Sequence, residues 1–169
     1  MGEPKVGVEG LSVEDCRKLL GEGKITESLE GLRRLEQIDP DQASLHHYLG
    51  VALHLAGRSG EALSHFERAH ALEPEQSVIY QNQSIALLVA GRLDEAAEAA
   101  RAAIRLRPDN VGGYVNLALA QIRLGQHVQA RQTLLQGLDM APGHPGLLTQ
   151  AGHLAIELGD WSEAEKLVA

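Results

Sequence analysis

The chain has 169 residues and a formal net charge of −8, with 23 acidic and 15 basic residues. This acidic balance argues against a nucleic-acid partner, because binding to phosphates requires a basic face. Aromatic residues make up only 3% of the chain, so Leu, Ala, Val and Ile must build the core, which favours closely packed helices over a β-sandwich.

The N-terminal residues 1–8 read as a disordered tail without an apolar signal region. The chain contains no run of 18 apolar residues, so we expect no insertion into a membrane and predict a cytoplasmic location. Cys16 is the only cysteine, which excludes a disulfide within one chain.

Beyond the tail, one glycine and one proline recur every 34 residues, as from Gly23 to Gly57. Each glycine can adopt the left-handed conformation that is needed where a first helix ends. Each proline marks the end of a second helix, because proline cannot continue a helix. The positions are Gly23, Gly57, Gly91, Gly125 and Gly159, and Pro40, Pro74, Pro108 and Pro142.

The unit is therefore a first helix, a Gly turn, a second helix and a Pro turn, repeated along residues 9–169. The five repeats are 9–42, 43–76, 77–110, 111–144 and an incomplete 145–169. The predicted helix pairs are 12–22 with 26–38, 44–56 with 60–72, 78–90 with 94–106, 112–124 with 128–140, and 146–158 with 162 onward. Ser12 is the expected cap of the first helix.

Three further columns with the same period hold mostly small residues, which let two antiparallel helices approach closely. They are Cys16, Gly50, Ser84, Ala118 and Gly152; Ser28, Ala62, Ala96, Ala130 and Ala164; and Leu35, Ala69, Ala103 and Gly137. The first repeat departs most from this pattern, as expected for a terminal repeat with one side in water.

The segment "LHHYLGVALHLAGRSGEALSHFERAHALEP" carries these features together, in Leu49, Gly50, Leu53, Gly57, Ala62, Phe66, Ala69 and Pro74. It resembles the tetratricopeptide repeat family. The resemblance implies an all-α fold, a right-handed superhelical solenoid of antiparallel helix pairs, whose first helices line a concave groove.

Residues on the expected groove face predict a site for a peptide or protein segment. They are His47, Tyr48, Val51, His54, Gln81, Asn82, Ile85, Leu88, Val115, Asn116, Leu119, Ile122, Arg123, Gln150 and His153. Tyr48, Asn82, Asn116 and Gln150 form a polar ladder, and an amide both donates to and accepts from a peptide bond. Val51, Ile85, Leu88, Leu119, Ile122 and Ile156 form an apolar floor for a hydrophobic or helical segment. The alternative is that the ladder bonds neighbouring helices and the floor completes the core.

The sequence lacks the residue patterns expected for carboxylate binding of the chaperone-adaptor type, for catalysis and for metal binding. The basic side chains with which chaperone adaptors of this family hold a C-terminal carboxylate are missing from the corresponding positions. No catalytic or nucleotide-binding motif occurs, so we expect neither an enzyme nor a cofactor. The eight histidines lack the i, i+4 spacing of helical metal pairs, so no metal site is expected. Trp161 is expected to pack between repeats.

The predicted function is a non-catalytic interaction module or scaffold with a protein or peptide ligand, and two alternatives remain open beside this first one. The second is the repeat arm of a larger enzyme, of glycosyltransferase or sulfotransferase type, that recruits substrate. The third is a scaffold that assembles with itself through the uncapped C-terminal helix, because Ala169 falls short of the next expected proline.

Overall fold

The computed structural model describes residues 11–160, and all regular secondary structure in that range is α-helical. The helices are α1 (Val13–Gly21), α2 (Ile25–Ile38), α3 (Ala43–Leu55), α4 (Ser59–Leu72), α5 (Ser77–Val89), α6 (Leu93–Leu106), α7 (Val111–Arg123), α8 (His127–Met140) and α9 (Pro145–Glu157). Each bound lies within one residue of its prediction, which confirms the all-α repeat fold. The predicted tail 1–8, Trp161, Ala164 and the helix from 162 onward lie outside the described residues.

The described helices fall into two compact units, one with α1–α4 and the other with α5–α9. In the first unit, α1 packs against α2 and α3, α2 packs against α3, and α3 packs against α4. In the second unit each helix packs against the next one, and α7 also contacts both α5 and α9. The first helices α5, α7 and α9 thus lie side by side as one layer of the second unit.

Glycine and proline end the helices as predicted. The five turn glycines all have positive φ, from 73° at Gly125 to 77° at Gly57, a conformation that residues with a Cβ rarely adopt. Each second helix from α2 to α8 ends two residues before its proline. At the start of α1, Ser12 Oγ accepts a hydrogen bond from the Asp15 N–H at 3.2 Å and Asp15 accepts one from the Ser12 N–H, which makes a capping box.

The small-residue columns lie where paired helices touch. Nearly every described member is buried; Leu35, in the divergent first repeat, is half-buried. At Gly50 the contact is with the ring of Phe66, which is fully buried. A Cβ at Gly50 would lie 2.7 Å from Phe66 Cε1. The absence of a side chain at position 50 is therefore what lets α3 approach α4.

Among the helices of residues 11–160, none combines the length and the apolar content needed to cross a bilayer.

We predict that Gly50→Ala lowers the free energy of unfolding by about 1–3 kcal/mol, because the added methyl group overpacks the contact with Phe66. Urea unfolding followed by circular dichroism measures the change. Gly60→Ala is the matched control, since a Cβ there meets nothing within 4 Å. It should leave stability unchanged or raise it by up to about 1 kcal/mol. Equal effects of the two substitutions would contradict close approach at Gly50.

Candidate functional site

In the first unit, α3 carries the predicted groove residues His47, Tyr48, Val51 and His54. His47 is only 8% exposed. Its ring centroid lies 4.9 Å from that of Tyr48 and 6.3 Å from that of Phe66, so it packs between α3 and α4. His54 Nδ1 lies 3.0 Å from Ser59 Oγ, within hydrogen-bond distance. Tyr48 and Val51 are half-buried and are the predicted residues of α3 that have apolar surface left for a ligand.

Burial also sets the protonation of two of these histidines. It lowers the pKa of His47 to about 4 and shifts the pKa of His54 in the same direction, because a charged imidazole is poorly solvated there. Both rings are therefore neutral near pH 7.

In the second unit, two predicted groove residues pack against the next first helix. A Cβ at Gly112 of α7 would lie 2.5 Å from the Gln81 side chain, and one at Gly146 of α9 would lie 3.2 Å from Val115 Cγ2. Gln81 and Val115 therefore occupy the same position in successive repeats, and each fills the space over a glycine. Both remain half-buried.

The polar ladder is not uniform along this layer. Asn116 is 8% exposed, and its Nδ2 group donates to the Gln81 carbonyl at 3.2 Å and to Ser84 Oγ at 2.7 Å. At this position the amide bonds the neighbouring helix α5, which is the alternative that the sequence left open. Asn82 and Gln150 are half-buried, so the ladder's surface in this unit comes from these two residues.

The residues of the apolar floor also differ in how much of their surface is exposed. Leu88 is 5% exposed and Ile122 is 8% exposed, and Ile122 packs in a core cluster with Tyr114, Leu147 and Leu154. Ile85 and Leu119 are half-buried, while Ile156 is 48% exposed. The floor of the second unit therefore consists of Ile85, Leu119 and Ile156, and the other two residues belong to the core.

Two further polar groups connect successive repeats. Arg123 Nη1 donates to the Leu88 carbonyl at 2.6 Å, at the C-terminal end of α5 where a cation is favoured by the helix dipole. Asn110, which sequence reasoning did not single out, caps α7 through the Gly113 N–H and donates to Ser77 Oγ at 2.7 Å. Its place just before a helix was the signal that could have identified it. His153 is exposed on α9.

A cavity of about 550 Å³ lies elsewhere in the second unit, mainly between α5 and α6. Tyr80, Leu87, Glu98 and Arg101 are among its lining residues, and no predicted groove residue is among them. The predicted site is thus an open helix face and is separate from this cavity.

Two sequence families match the chain, and both are described as tetratricopeptide repeats. One matches residues 43–76 and the other matches residues 82–145. Together they cover more than half of the chain. No curated protein matches the chain in a sequence search.

Several solved structures share the fold. MamA 41-end from Desulfovibrio magneticus RS-1 aligns with a TM-score of 0.81 at 18% identity, covering 92% of this chain and 88% of that chain. PilF of Pseudomonas aeruginosa aligns with a TM-score of 0.82 at 20% identity, covering 92% and 71%. YrrB, described as a repeat protein with an unusual peptide-binding site, aligns with a TM-score of 0.74 at 15% identity, covering 92% and 80%. At these identities the similarity shows the fold alone.

We predict that burial of neutral His47 makes stability fall on acidification. The unfolded chain takes up a proton below its ordinary pKa of 6.5, whereas folded His47 does so only near pH 4. The stability due to this difference is fully present above pH 6.5 and is lost as the pH falls toward 4. Between pH 7 and pH 5 the loss is about 2 kcal/mol.

Urea unfolding at the two pH values tests this in the unsubstituted chain, in His47→Leu and in the exposed control His153→Leu. His47→Leu should reduce the difference between pH 7 and pH 5 by about 2 kcal/mol, and His153→Leu should leave it unchanged. The same pH dependence in all three proteins would show that His47 is not the group responsible.

Proposed function

The chain belongs to the tetratricopeptide repeat family, and we propose that it is a non-catalytic module that binds a peptide or an extended protein segment on the first helices of its repeats. The fold suggests a protein-interaction or scaffold role, and the family is generally non-catalytic. The proposal adds where the ligand lies and which side chains contact it.

The observation that carries the proposal is a row of partly exposed side chains at one repeat position, with apolar members on α5 and α7. Ile85 and Leu119 occupy this position in successive repeats and are both half-buried, and Ile156 adds exposed apolar surface at a different position of α9. A ligand that covers this row removes apolar surface from water, which is favourable by about 25 cal/mol per Å². Helical and extended segments both bind such faces through regularly spaced apolar residues.

Amide side chains on the same helices supply polar contacts. Asn82 on α5 and Gln150 on α9 are half-buried, and an amide group can offer both a donor and an acceptor to a peptide backbone. Gln150 Oε1 is itself buried, so Gln150 is proposed to contact the backbone through its Nε2 group alone. We therefore propose Asn82 and Gln150 as backbone contacts and Ile85 and Leu119 as side-chain contacts. His153, exposed on α9, lies one repeat after Leu119 and continues the row with a polar ring.

A relative supports this assignment at the level of the fold. YrrB is described as having an unusual peptide-binding site, and it aligns over 92% of this chain. In the first unit, the half-buried Tyr48 and Val51 on α3 are the proposed contact residues.

The proposal predicts that Ile85→Gln with Leu119→Gln weakens peptide binding at least about tenfold, because each substitution removes an apolar contact worth roughly 1 kcal/mol. Peptides are first selected from a random phage-displayed library against the unsubstituted protein. Their dissociation constants are then measured by fluorescence polarisation. Circular dichroism establishes that the variant is folded before binding is compared.

The matched control is Val128→Gln with Leu135→Gln on the second helix α8, where the two side chains are 71% and 52% exposed. This control should bind with unchanged affinity. Peptides that bind the α5–α7 variant and the unsubstituted protein equally well would place their site elsewhere, and so would loss of binding only in the α8 control.

A second candidate is self-association through α9. Ile156 is 48% exposed, whereas Leu88 and Ile122, at the same position of the two preceding repeats, are 5% and 8% exposed. A second copy of the chain that packs on α9 would cover this side chain as the next first helix covers its counterparts.

Light scattering at several concentrations tests self-association. The mass should rise toward that of a dimer with concentration, and Ile156→Lys should keep the protein monomeric. Val128→Lys on α8, also exposed, should still dimerise. A monomer at every concentration would overturn this candidate and leave peptide binding unaffected.

A further inference from the structure

Three side chains with metal-ligand chemistry meet in the first unit, each from a different helix. They are Glu36 of α2, His46 of α3 and His65 of α4. The two histidine Nδ1 atoms are 3.2 Å apart, and Glu36 Oε1 lies 3.8 Å from each of them. In the described residues 11–160, this is the one group of three such ligand atoms close enough to share an ion.

The spacing of the three atoms fits one small cation. A triangle with sides of 3.2, 3.8 and 3.8 Å has a centre about 2.1 Å from every corner. Bonds from Zn²⁺ to imidazole nitrogen and to carboxylate oxygen are about 2.0–2.2 Å. An ion near that point therefore reaches all three atoms without a shift of the helices.

The hydrogen bonding of His46 directs its Nδ1 atom toward His65 and Glu36. Its Nε2 lies 2.7 Å from the Pro40 carbonyl oxygen, which can only accept, so Nε2 carries the proton and Nδ1 carries the lone pair. An imidazole that donates its second N–H to a backbone carbonyl is the usual arrangement of a metal-binding histidine. His46 is also 6% exposed, so its ring lies in the packed interior.

Two of the three candidate ligands are partly open to solvent. The side chains of His65 and Glu36 are 23% and 33% exposed, so an ion can enter from solvent on this side.

We propose that Glu36, His46 and His65 bind a divalent transition-metal ion, with Zn²⁺ as the reference ion. Two imidazoles and one carboxylate suit Zn²⁺ and its transition-metal neighbours and do not suit Mg²⁺ or Ca²⁺, which prefer oxygen ligands alone. Three protein ligands leave a fourth position for water. The bound ion connects α2 of the first repeat to both helices of the second repeat.

Without an ion, the two histidines form a hydrogen bond in which His65 Nδ1–H donates to His46 Nδ1. Their ring centroids are 5.5 Å apart and the ring planes are inclined by 27°, and the short distance between the two Nδ1 atoms shows that the rings meet edge to edge. For both Nδ1 atoms to bind a metal, the His65 proton must move from Nδ1 to Nε2 or to solvent, and the rings must turn toward Glu36. This group could not be predicted from the spacing of histidines along single helices, because its three residues come from three different helices.

The test uses the full chain without an affinity tag, stripped of metal with a chelator that is then removed. Isothermal titration with ZnCl₂ should give one ion per chain, and the melting temperature should rise with free Zn²⁺, since the ion binds the folded state preferentially. MgCl₂ should do neither. Added Co²⁺ should show the visible absorption bands of a cobalt ion that is bound by nitrogen and oxygen ligands.

His65→Gln and Glu36→Gln each remove a ligand at a half-buried position and should weaken Zn²⁺ binding at least about tenfold. His46→Gln should do the same if it folds, and the other two variants decide the matter if it does not. His153→Gln keeps the three ligands and removes one exposed histidine, so it should bind as the unsubstituted protein does. Absence of Zn²⁺ binding, or binding that survives both His65→Gln and Glu36→Gln, would reduce the group to a hydrogen-bonded histidine pair and overturn the proposal.

Discussion

Close contact between paired helices is the constraint on which the rest of the structure depends. The contact between α3 and α4 at Gly50 and Phe66 leaves no room for a Cβ, and the equivalent positions Cys16, Ser84, Ala118 and Gly152 are all buried. The same column recurs in every described repeat and is buried each time. Its position marks the side of a first helix that packs inward, and thereby the side that is left for the neighbouring repeat or for a ligand.

This constraint explains why the fold could be predicted so closely from the sequence. A left-handed glycine and a proline mark the helix ends by backbone sterics, which act locally, and they placed every described helix within one residue. The site could be predicted less well. Helical spacing identifies residues on one face, but it does not say how much of that face the next first helix covers. Leu88 and Ile122 were expected on the floor and are buried, whereas Ile85 and Leu119 on the same helices keep part of their surface.

The polar residues of the second unit illustrate the same limit. Asn116, Asn110 and Arg123 each bond a group about one repeat earlier in the chain. Such a bond satisfies a helix end or a buried hydroxyl, and a buried donor left without a partner would cost about 1–3 kcal/mol. A polar side chain in a periodic column therefore bonds the preceding repeat wherever it turns inward, and is accessible to a ligand only where part of it stays exposed. Asn82 and Gln150 are both half-buried, although Gln150 Oε1 is itself buried.

The contacts of the histidines could not be predicted from the periodic pattern. Glu36, His46 and His65 follow no common spacing, and they meet only because α2 and α4 both pack against α3. His46 and His47 are adjacent in sequence and both buried, yet the first faces Glu36 and His65 while the second packs against Tyr48 and Phe66. Successive residues on a helix point about 100° apart, so neighbouring rings enter different environments. The ring of His47 packs against Phe66 of α4, and the ring of His46 completes a group of three candidate ligand atoms. The repeat thus brings together residues that follow no period of their own.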